Sequence, residues 1–177
     1  MGKIKFATIW LDGCSGCHMS LLDIDERLLD VFSKIELVYG PFVDFKRFPS
    51  GVDFAFVEGA VSNDEDEEKI LEIRDKTKVL VSFGDCAVTS NVPGMRNHYK
   101  IKDLMQRAYD DNADIKEKTP KTGIPHLISH ARPIHEFVTV DVFLPGCPPP
   151  ADVIHYVISE LIDGRLPDLT GKTRFGQ

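Results

Sequence analysis

The sequence predicts an α/β domain built around a mainly parallel sheet. Short apolar runs rich in β-branched residues alternate with longer stretches of helical periodicity, which is the order of strands joined by crossover helices. The chain has 177 residues, and 42% of them are hydrophobic, so it can bury a core without disulfide bonds. We therefore expect one domain over residues 1–177, with helices on both faces of a doubly wound sheet.

Three strands and two helices are predicted in the first half of the chain. The helices carry apolar residues near helical spacing, and Asn63 is suited to cap the second one, whose first turn is acidic. The first strand is an apolar run typical of a buried strand. In order, the elements are a strand at Ile4–Leu11, a helix at Ser20–Phe32, strands at Ile35–Gly40 and Val52–Glu58, and a helix at Asp64–Lys76.

The second half predicts two more strands with a long connection between them. The connection, about 85–137, holds one clear helix at about 101–109 and a loop rich in Lys, Pro and His. A connection of this length is usually functional or covered by a partner. Three prolines precede the last helix, Gly164 ends it, and a polar tail follows from about Leu166. The strands are Lys78–Phe83 and Val138–Leu144, and the helix is Ala151–Asp163.

Charge and hydropathy exclude some classes of partner. With 21 Lys and Arg against 28 Asp and Glu, the net charge is −7, which opposes binding along a phosphate backbone. No apolar run approaches the about 18 residues of a membrane helix, and the first residues lead into a strand rather than a signal peptide. We expect a cytoplasmic protein with no nucleic-acid partner and no membrane insertion.

Four cysteines follow the predicted strands. Cys14 and Cys17 form a C-x-x-C motif just after the first strand, Cys86 follows the fourth strand, and Cys147 follows the fifth. The carboxyl ends of parallel strands share one edge of a sheet, so these residues are expected to converge. Four thiolates at one place indicate a metal centre.

The spacing alone leaves the kind of metal centre open. A 4Fe–4S cluster is held by four cysteine thiolates and often has a proline after the last one, as Pro148 follows Cys147 here. Structural zinc also takes four cysteines, but mostly as two close pairs, whereas two of these cysteines stand alone. The other interpretations are a thioredoxin-like redox pair at Cys14 and Cys17 and a buried structural role for Cys86 or Cys147, each taken singly.

Motifs for other cofactors are absent from the sequence. No G-x-G-x-x-G or P-loop motif occurs, so a nucleotide site is not expected. A doubly wound domain of flavodoxin-like order would bind the phosphate of FMN in the loop after the first strand, yet that loop holds Cys14 and Cys17. FMN is therefore a minor alternative. If all four thiols bind one cluster, none remains for nickel, and the chain would carry electrons without catalysing a reaction alone.

Several segments at the strand ends form a specific pattern. They are Cys-Ser-Gly-Cys-His-Met-Ser-Leu-Leu-Asp at 14–23, Val-Glu-Gly at 57–59, Gly-Asp-Cys-Ala-Val-Thr at 84–89, Val-Pro-Gly-Met-Arg-Asn at 92–97, and Leu-Pro-Gly-Cys-Pro-Pro at 144–149. Together they resemble the small subunit of NiFe hydrogenases, a family with a flavodoxin-like fold. The resemblance extends from the first strand to the last helix, and it is greatest for the soluble, NAD-reducing branch.

This resemblance implies one 4Fe–4S cluster, bound by Cys14, Cys17, Cys86 and Cys147, beside a NiFe centre in a separate large subunit. The chain would take electrons from dihydrogen oxidation there and pass them to a diaphorase module of iron–sulfur and flavin subunits that reduces NAD. Relatives with an export signal and further clusters are longer and have more cysteines. The related subunit of the respiratory NADH-quinone oxidoreductase, which has adjacent first cysteines, gives an alternative, and a hydrogenase linked to another cofactor gives a second.

Five other residues are candidate contacts by the same resemblance. Glu58 ends the third strand and is expected to face the cluster or the large subunit, with a solvated loop carboxylate as the alternative. Met95, Arg96 and Asn97 are expected at the subunit contact rather than in a free surface loop, since Arg and Met are enriched at interfaces. His18 is expected either to donate a hydrogen bond toward the cluster or partner, or to be solvated.

A second class of function is compatible with the residues alone. A module of the same fold that binds zinc or flavin would act in binding rather than electron transfer, and it would contain no acid-labile sulfide. The histidines of the long connection would form a metal site only if the loop brought them together. No role is assigned to them; they are His126, His130 and His135.

Overall fold

A five-stranded parallel sheet forms the centre of the computed structural model, which describes residues 2–114, 122–173 and 175. The strands of the described part are β1 Ile4–Trp10, β2 Ile35–Tyr39, β3 Val52–Glu58, β4 Val61–Asn63, β5 Thr77–Phe83, β6 Leu127–Arg132 and β7 Val142–Leu144. The sheet has the order β2–β1–β3–β5–β7 with parallel pairing throughout. The chain passes from β1 to β2 and returns to β3 on the other side of β1, so the switch point lies between β1 and β3. The predicted α/β, doubly wound, flavodoxin-like sheet is confirmed.

Helices cover both faces of this sheet, as the sequence predicts. In the described ranges they are α1 Gly16–Leu22, α2 Arg27–Lys34, α3 Asp64–Lys76, α4 Asp85–Thr89, α5 Asn91–Gly94, α6 Ile101–Gln106 and α7 Ala151–Ile162. Helices α1, α2 and α7 pack on one face, and α3 packs on the other. None of the helices in these ranges has the length and apolar character needed to cross a bilayer.

Alternate residues of the central strands point into two separate cores. Phe6, Phe54 and Phe56 lie under α1, α2 and α7 with Phe83 of β5, and neighbouring ring centroids are 4.9 to 6.1 Å apart. Burying each of these rings stabilises the fold by about 1.5–3 kcal/mol. Smaller residues of the same strands, including Ala55, pack under α3. The strands are thereby fixed between two packed layers, and their carboxyl ends form a rigid edge.

The helix predicted at Ser20–Phe32 is two helices, α1 and α2, with a turn between them. Asp25 in this turn has a φ of +62°, which is incompatible with a continuing helix, and Ile24 beside it is buried in the core. Apolar spacing continues across the turn, so the pattern did not reveal the break. The helix predicted at about 101–109 also differs, because α6 is followed by a π-helical turn at Arg107–Asp111.

The last strand of the sheet is shorter than predicted, since β7 begins at Val142 and not at Val138. The carboxylate of Asp141 accepts a hydrogen bond from the backbone N–H of Leu80 at 2.7 Å and pairs with Arg74 at 2.6 Å. A side chain therefore takes the backbone donor that a longer strand would have used. Val138 packs against the core beneath α3 without pairing in the sheet.

The predicted connection 85–137 contains more regular structure than expected. Helices α4 and α5 follow β5, and β6 pairs antiparallel with β4, with Arg132 opposite Val61. Because β4 follows the carboxyl end of β3, this two-stranded ribbon extends the edge of the sheet where the cysteine loops begin. Residues 115–121 of the predicted loop lie outside the described residues, as do Arg174, Gly176 and Gln177 of the predicted tail.

Asn63 caps the N-terminus of α3, as predicted. Its side-chain oxygen accepts a hydrogen bond from the Asp66 N–H at 2.9 Å, and its amide donates to the Asp66 carboxylate at 2.8 Å. Asn63→Ala should lower the free energy of unfolding by about 1 kcal/mol, because the cap is lost. We expect the thermal midpoint to fall by about 2–4 °C. Asn63→Asp keeps the acceptor and should change it little, so equal midpoints for Asn63→Ala and the wild type would contradict the capping role.

Candidate metal centre

The four cysteines lie together at the carboxyl edge of the sheet. Cys14 is in the loop between β1 and α1, and Cys17 is in the first turn of α1. Cys86 is in the first turn of α4 after β5, and Cys147 is in the loop between β7 and α7. Cys17 and Cys86 are each 6% exposed, whereas Cys14 and Cys147 are exposed, and all four thiols are free. Three separate loops thus contribute two inner and two outer thiols.

The thiols are close enough to affect each other's ionisation. Burial raises the pKa of the Cys17 thiol well above its usual value, and the charges of Glu58 and the other three cysteines raise it further. Burial also raises the pKa of Cys86, although the backbone N–H of Val92 opposes this effect. A cation at this place would reverse the balance, because a coordinating thiol loses its proton.

Glycines leave the space that the inner sulfur atoms need. Gly84 has a φ of +83°, and a Cβ there would lie 2.1 Å from the Sγ of Cys17. A Cβ on Gly16 would lie 3.2 Å from the Sγ of Cys14. Gly84 therefore combines a close approach with a backbone conformation that other residues rarely adopt.

Asp85 joins two of the cysteine loops. Its backbone N–H donates to the carbonyl of Gly146 at 2.8 Å, and its buried carboxylate accepts a hydrogen bond from the Gly146 N–H at 2.7 Å. Asp85 directly precedes Cys86, and Gly146 directly precedes Cys147. This pair of hydrogen bonds therefore fixes the two cysteines relative to each other.

The donor set fits an iron–sulfur cluster. Four cysteine thiolates are the ligands that a 4Fe–4S cluster takes, and four thiols meet here. In the ranges that the structure describes, no group of three or more His, Cys, Asp or Glu side chains is arranged to hold a single metal ion. A cluster has no need of such an arrangement, because each thiolate binds a different iron atom.

Glu58 and His18 form a buried pair beside Cys17. They are 1% and 3% exposed, so the alternative of solvated side chains is wrong for both. The Glu58 carboxylate accepts hydrogen bonds from the His18 backbone N–H at 3.0 Å and from the His18 ring at Nδ1, while Nε2 contacts the Thr8 hydroxyl. Strands β1 and β3 are thereby joined to the first turn of α1, which carries Cys17.

Met95, Arg96 and Asn97 have different environments. Met95 is 69% exposed. Arg96 donates to one backbone carbonyl of β4 and one of β6, at 2.9 and 3.0 Å, and Asn97 exchanges two 2.8 Å hydrogen bonds with the backbone of β6. Arg96 and Asn97 therefore hold the ribbon against the segment that follows α5. Their predicted place at a subunit contact, like that of Met95, stays a prediction.

The three histidines of the long connection make separate contacts. His126 donates its backbone N–H to the carboxylate of Asp64 at 2.9 Å, and His130 contacts the neighbouring serine hydroxyl. His135 packs edge-on against Phe143, with ring centroids 5.7 Å apart. These contacts assign them no part in the cysteine site.

A family model spans all four cysteines. The model described as "NADH ubiquinone oxidoreductase, 20 Kd subunit" matches residues 14–161, which is most of the chain. The chain belongs to this family. The match begins at Cys14 and continues through Cys147 into α7, so all four cysteines lie within the matched residues.

Curated relatives of this 20 Kd subunit family member are subunits of hydrogenases. The delta subunit of the NAD-reducing hydrogenase HoxS of Cupriavidus necator is 43% identical over 95% of this chain and 83% of the relative. A vhu subunit of the F420-non-reducing hydrogenase of Methanocaldococcus jannaschii is 41% identical, over 96% of this chain and 59% of the relative. An iron-sulfur subunit of the F420-non-reducing hydrogenase of Archaeoglobus profundus is 32% identical, over 93% of this chain and 57% of the relative. The chain thus spans less than two thirds of both archaeal relatives.

Two solved hydrogenase structures contain chains that are similar to this one. A chain in a crystal structure of NAD+-reducing [NiFe]-hydrogenase in the H2-reduced state has a TM-score of 0.93 and 36% identity, with 98% of this chain and 99% of that chain covered. A chain of the Dm. baculatum [NiFeSe]-hydrogenase has a TM-score of 0.58 and 18% identity, over 95% of this chain and 67% of that chain. The second match concerns the fold alone.

Two residues beside the cysteines of this 20 Kd subunit family member were not predicted from the sequence. Thr8 contacts the ring of His18, and its only signal is a hydroxyl within an apolar strand. Asn91 donates its side-chain amide to the Sγ of Cys147 at 3.4 Å. No spacing rule connects Asn91 with a cysteine that is 56 residues away.

Glu58→Ala should destabilise the chain, because it removes the buried carboxylate oxygen that accepts hydrogen bonds from the backbone N–H and the ring of His18. A buried donor left without its partner costs about 1–3 kcal/mol. Since 1 kcal/mol is about 2–4 °C in a chain of this length, the thermal midpoint should fall by several degrees. Glu36→Ala is the matched control, because Glu36 is exposed on β2. Equal midpoints for the two variants would contradict a stabilising role of the pair.

Proposed function

We propose that this chain is the electron-transfer small subunit of a NiFe hydrogenase. It binds one 4Fe–4S cluster next to the NiFe centre of a large partner subunit and passes electrons to a diaphorase module that reduces NAD. The ligands are Cys14, Cys17, Cys86 and Cys147. When bound, the cluster supplies one-electron transfer between the two partners.

The observation that carries this proposal is the meeting of four thiols from three loops at one edge of the sheet. Cys17 and Cys86 are the two buried thiols, and Gly84, which has no side chain, leaves space for the Sγ of Cys17. Asp85 and Gly146 keep two of the loops in register. The chain supplies a rigid set of ligands, and nothing in the proposal requires it to bind dihydrogen or NAD itself.

Exposed apolar side chains near the cysteines support a partner that covers the site. Trp10 is 47% exposed at the end of β1, Met19 is 58% exposed on α1, and Met95 is 69% exposed after α5. Large apolar side chains grouped around a site mark an interaction surface more often than a free one. A large subunit docked here would keep water from the outer cysteines, Cys14 and Cys147.

NAD as the acceptor is supported by the similarity to the subunit of an NAD-reducing hydrogenase, which this chain covers over most of its length. The proposal includes a cytoplasmic location, since NAD is turned over there. The relatives from F420-non-reducing hydrogenases support a second candidate, a hydrogenase with a different acceptor. The family itself supports a third, a subunit of an NADH-quinone oxidoreductase.

Metal and sulfide analysis of the complex that co-purifies anaerobically with the full chain tests the proposal. Nickel together with iron and acid-labile sulfide is the expected result, with reduction of NAD by dihydrogen as the accompanying activity. Dihydrogen oxidation without NAD reduction would favour the second candidate, and iron and sulfide without nickel would favour the third. Zinc alone would contradict all three. Flavin fluorescence from this chain would favour the FMN alternative.

A further inference from the structure

Ser90 joins α4 to α5 and turns the chain sharply beside the cysteines. Its φ is +64°, in the left-handed region that residues other than glycine enter at a cost in free energy. The two residues that follow this turn are Asn91 and Val92, and both donate hydrogen bonds to cysteines of the candidate metal centre. Backbone strain at Ser90 therefore coincides with the placement of two hydrogen-bond donors.

Asn91 donates a hydrogen bond from its side-chain amide to the Sγ of Cys147, with 3.4 Å between nitrogen and sulfur. This bond crosses from the segment after β5 to the loop after β7. The backbone N–H of Val92 donates a hydrogen bond to the thiol of Cys86, and this bond opposes the rise in pKa that burial causes. Two adjacent donors, one in a side chain and one in the backbone, thus serve two different cysteines.

We infer that Asn91 is a positioning residue that raises the reduction potential of the cluster by donating a hydrogen bond to Cys147. The inference rests on the proposed function, because it requires the cluster to be bound. Reduction adds negative charge to the cluster and its sulfur ligands, so a donor to sulfur binds more strongly in the reduced state. The Asn91 amide therefore favours the reduced form.

The size of the effect follows from the strength of one hydrogen bond. A single bond is worth about a factor of ten in an equilibrium between two states. The bond forms in both redox states, so only the difference in its strength shifts the equilibrium. Removal of the Asn91 amide should thus shift the ratio of oxidised to reduced cluster by up to about tenfold toward the oxidised form, which is about 59 mV for a one-electron couple. Asn91 is exposed, so its replacement leaves both cores unchanged.

A potentiometric titration of the anaerobically purified complex, followed by EPR, tests the inference. The signal of this cluster is identified as the one missing from the Cys86→Ser complex. Asn91→Ala should lower its midpoint potential by tens of millivolts, within the limit given above, and Asn91→Asp, which has the same size but a charge and no donor, should lower it at least as far. Asn112→Ala, an exposed asparagine after the π-helical turn, is the matched control and should keep the wild-type midpoint.

The outcomes separate the inference from the proposed function. An Asn91→Ala complex with the wild-type midpoint overturns the inference even if Asn91→Asp is lowered, because added charge then explains the whole shift. A wild-type complex without any iron–sulfur signal that depends on Cys86 overturns the proposed function, and the inference with it. A signal that is present, and lowered in both variants but not in Asn112→Ala, supports the inference.

Discussion

Replacing Cys86 by serine should abolish electron transfer from dihydrogen to NAD in the complex. Cys86 lies in the first turn of α4 as one of the two buried thiols, and a serine hydroxyl is a far weaker ligand for iron at neutral pH. The loss should exceed the about 10- to 100-fold effect of removing a hydrogen-bond partner of a ligand. The measurement is iron and sulfide per chain, together with the rate of NAD reduction.

The nickel content of the purified complex shows whether a variant has lost only the cluster or has also lost the large subunit. The large subunit holds the NiFe centre in the proposed assembly, so nickel should stay at the wild-type level in Cys86→Ser. Cys86→Ala should behave in the same way, because neither side chain supplies a thiolate. A Cys86→Ser complex that reduces NAD with dihydrogen at the wild-type rate would contradict the role of Cys86 as a ligand.

Gly84→Ala should displace Cys17 and empty most of the site. The added methyl would lie 2.1 Å from the Sγ of Cys17, and a side chain at φ +83° is strained in any case. Strain of this kind costs about 1–3 kcal/mol, and the clash adds to it because Cys17 is itself buried. We expect iron and sulfide per chain to fall at least about tenfold, in line with the loss of a well-placed ligand.

Gly51→Ala is the matched control for this experiment. Gly51 has a φ of +71°, but a Cβ there would meet nothing within 4 Å. It therefore carries the same kind of backbone strain without a contact to any cysteine. If Gly51→Ala and Gly84→Ala lost iron equally, strain alone would be responsible, and the close approach of Gly84 to Cys17 would have no part in the site.

The sheet and the place of the cysteines could be predicted because both depend on local patterns. Buried strands are short apolar runs, and the carboxyl ends of parallel strands meet at one edge whatever the length of chain between them. The errors arose where tertiary contacts decide. The turn at Asp25 separates α1 from α2 because Ile24 is drawn into the core, and Asp141 shortens β7 because its carboxylate reaches Leu80, 61 residues earlier.

Glu58 and His18 were candidates from the sequence, but the hydrogen bonds that the polar neighbours of the cysteines make could not be predicted for the same reason. His18 is bonded to Glu58, 40 residues away, and to Thr8, while Asn91 reaches Cys147 across 56 residues. A histidine at the start of a helix and a glutamate at the end of a strand are mostly solvated when judged alone. Their burial follows from the packing of α1 across β1 and β3, which no spacing in the sequence encodes.

If the proposed function holds, the division of the cysteines into two buried and two exposed thiols also implies an order of assembly. Cys17 and Cys86 are buried against the protein interior, whereas Cys14 and Cys147 face solvent. Iron and sulfide can therefore reach the site only from the side of Cys14 and Cys147. In the proposed complex the large subunit covers that same side. In that complex the cluster would have to be inserted before the subunits join, and a chain that bound its partner first would give an assembled enzyme without electron transfer.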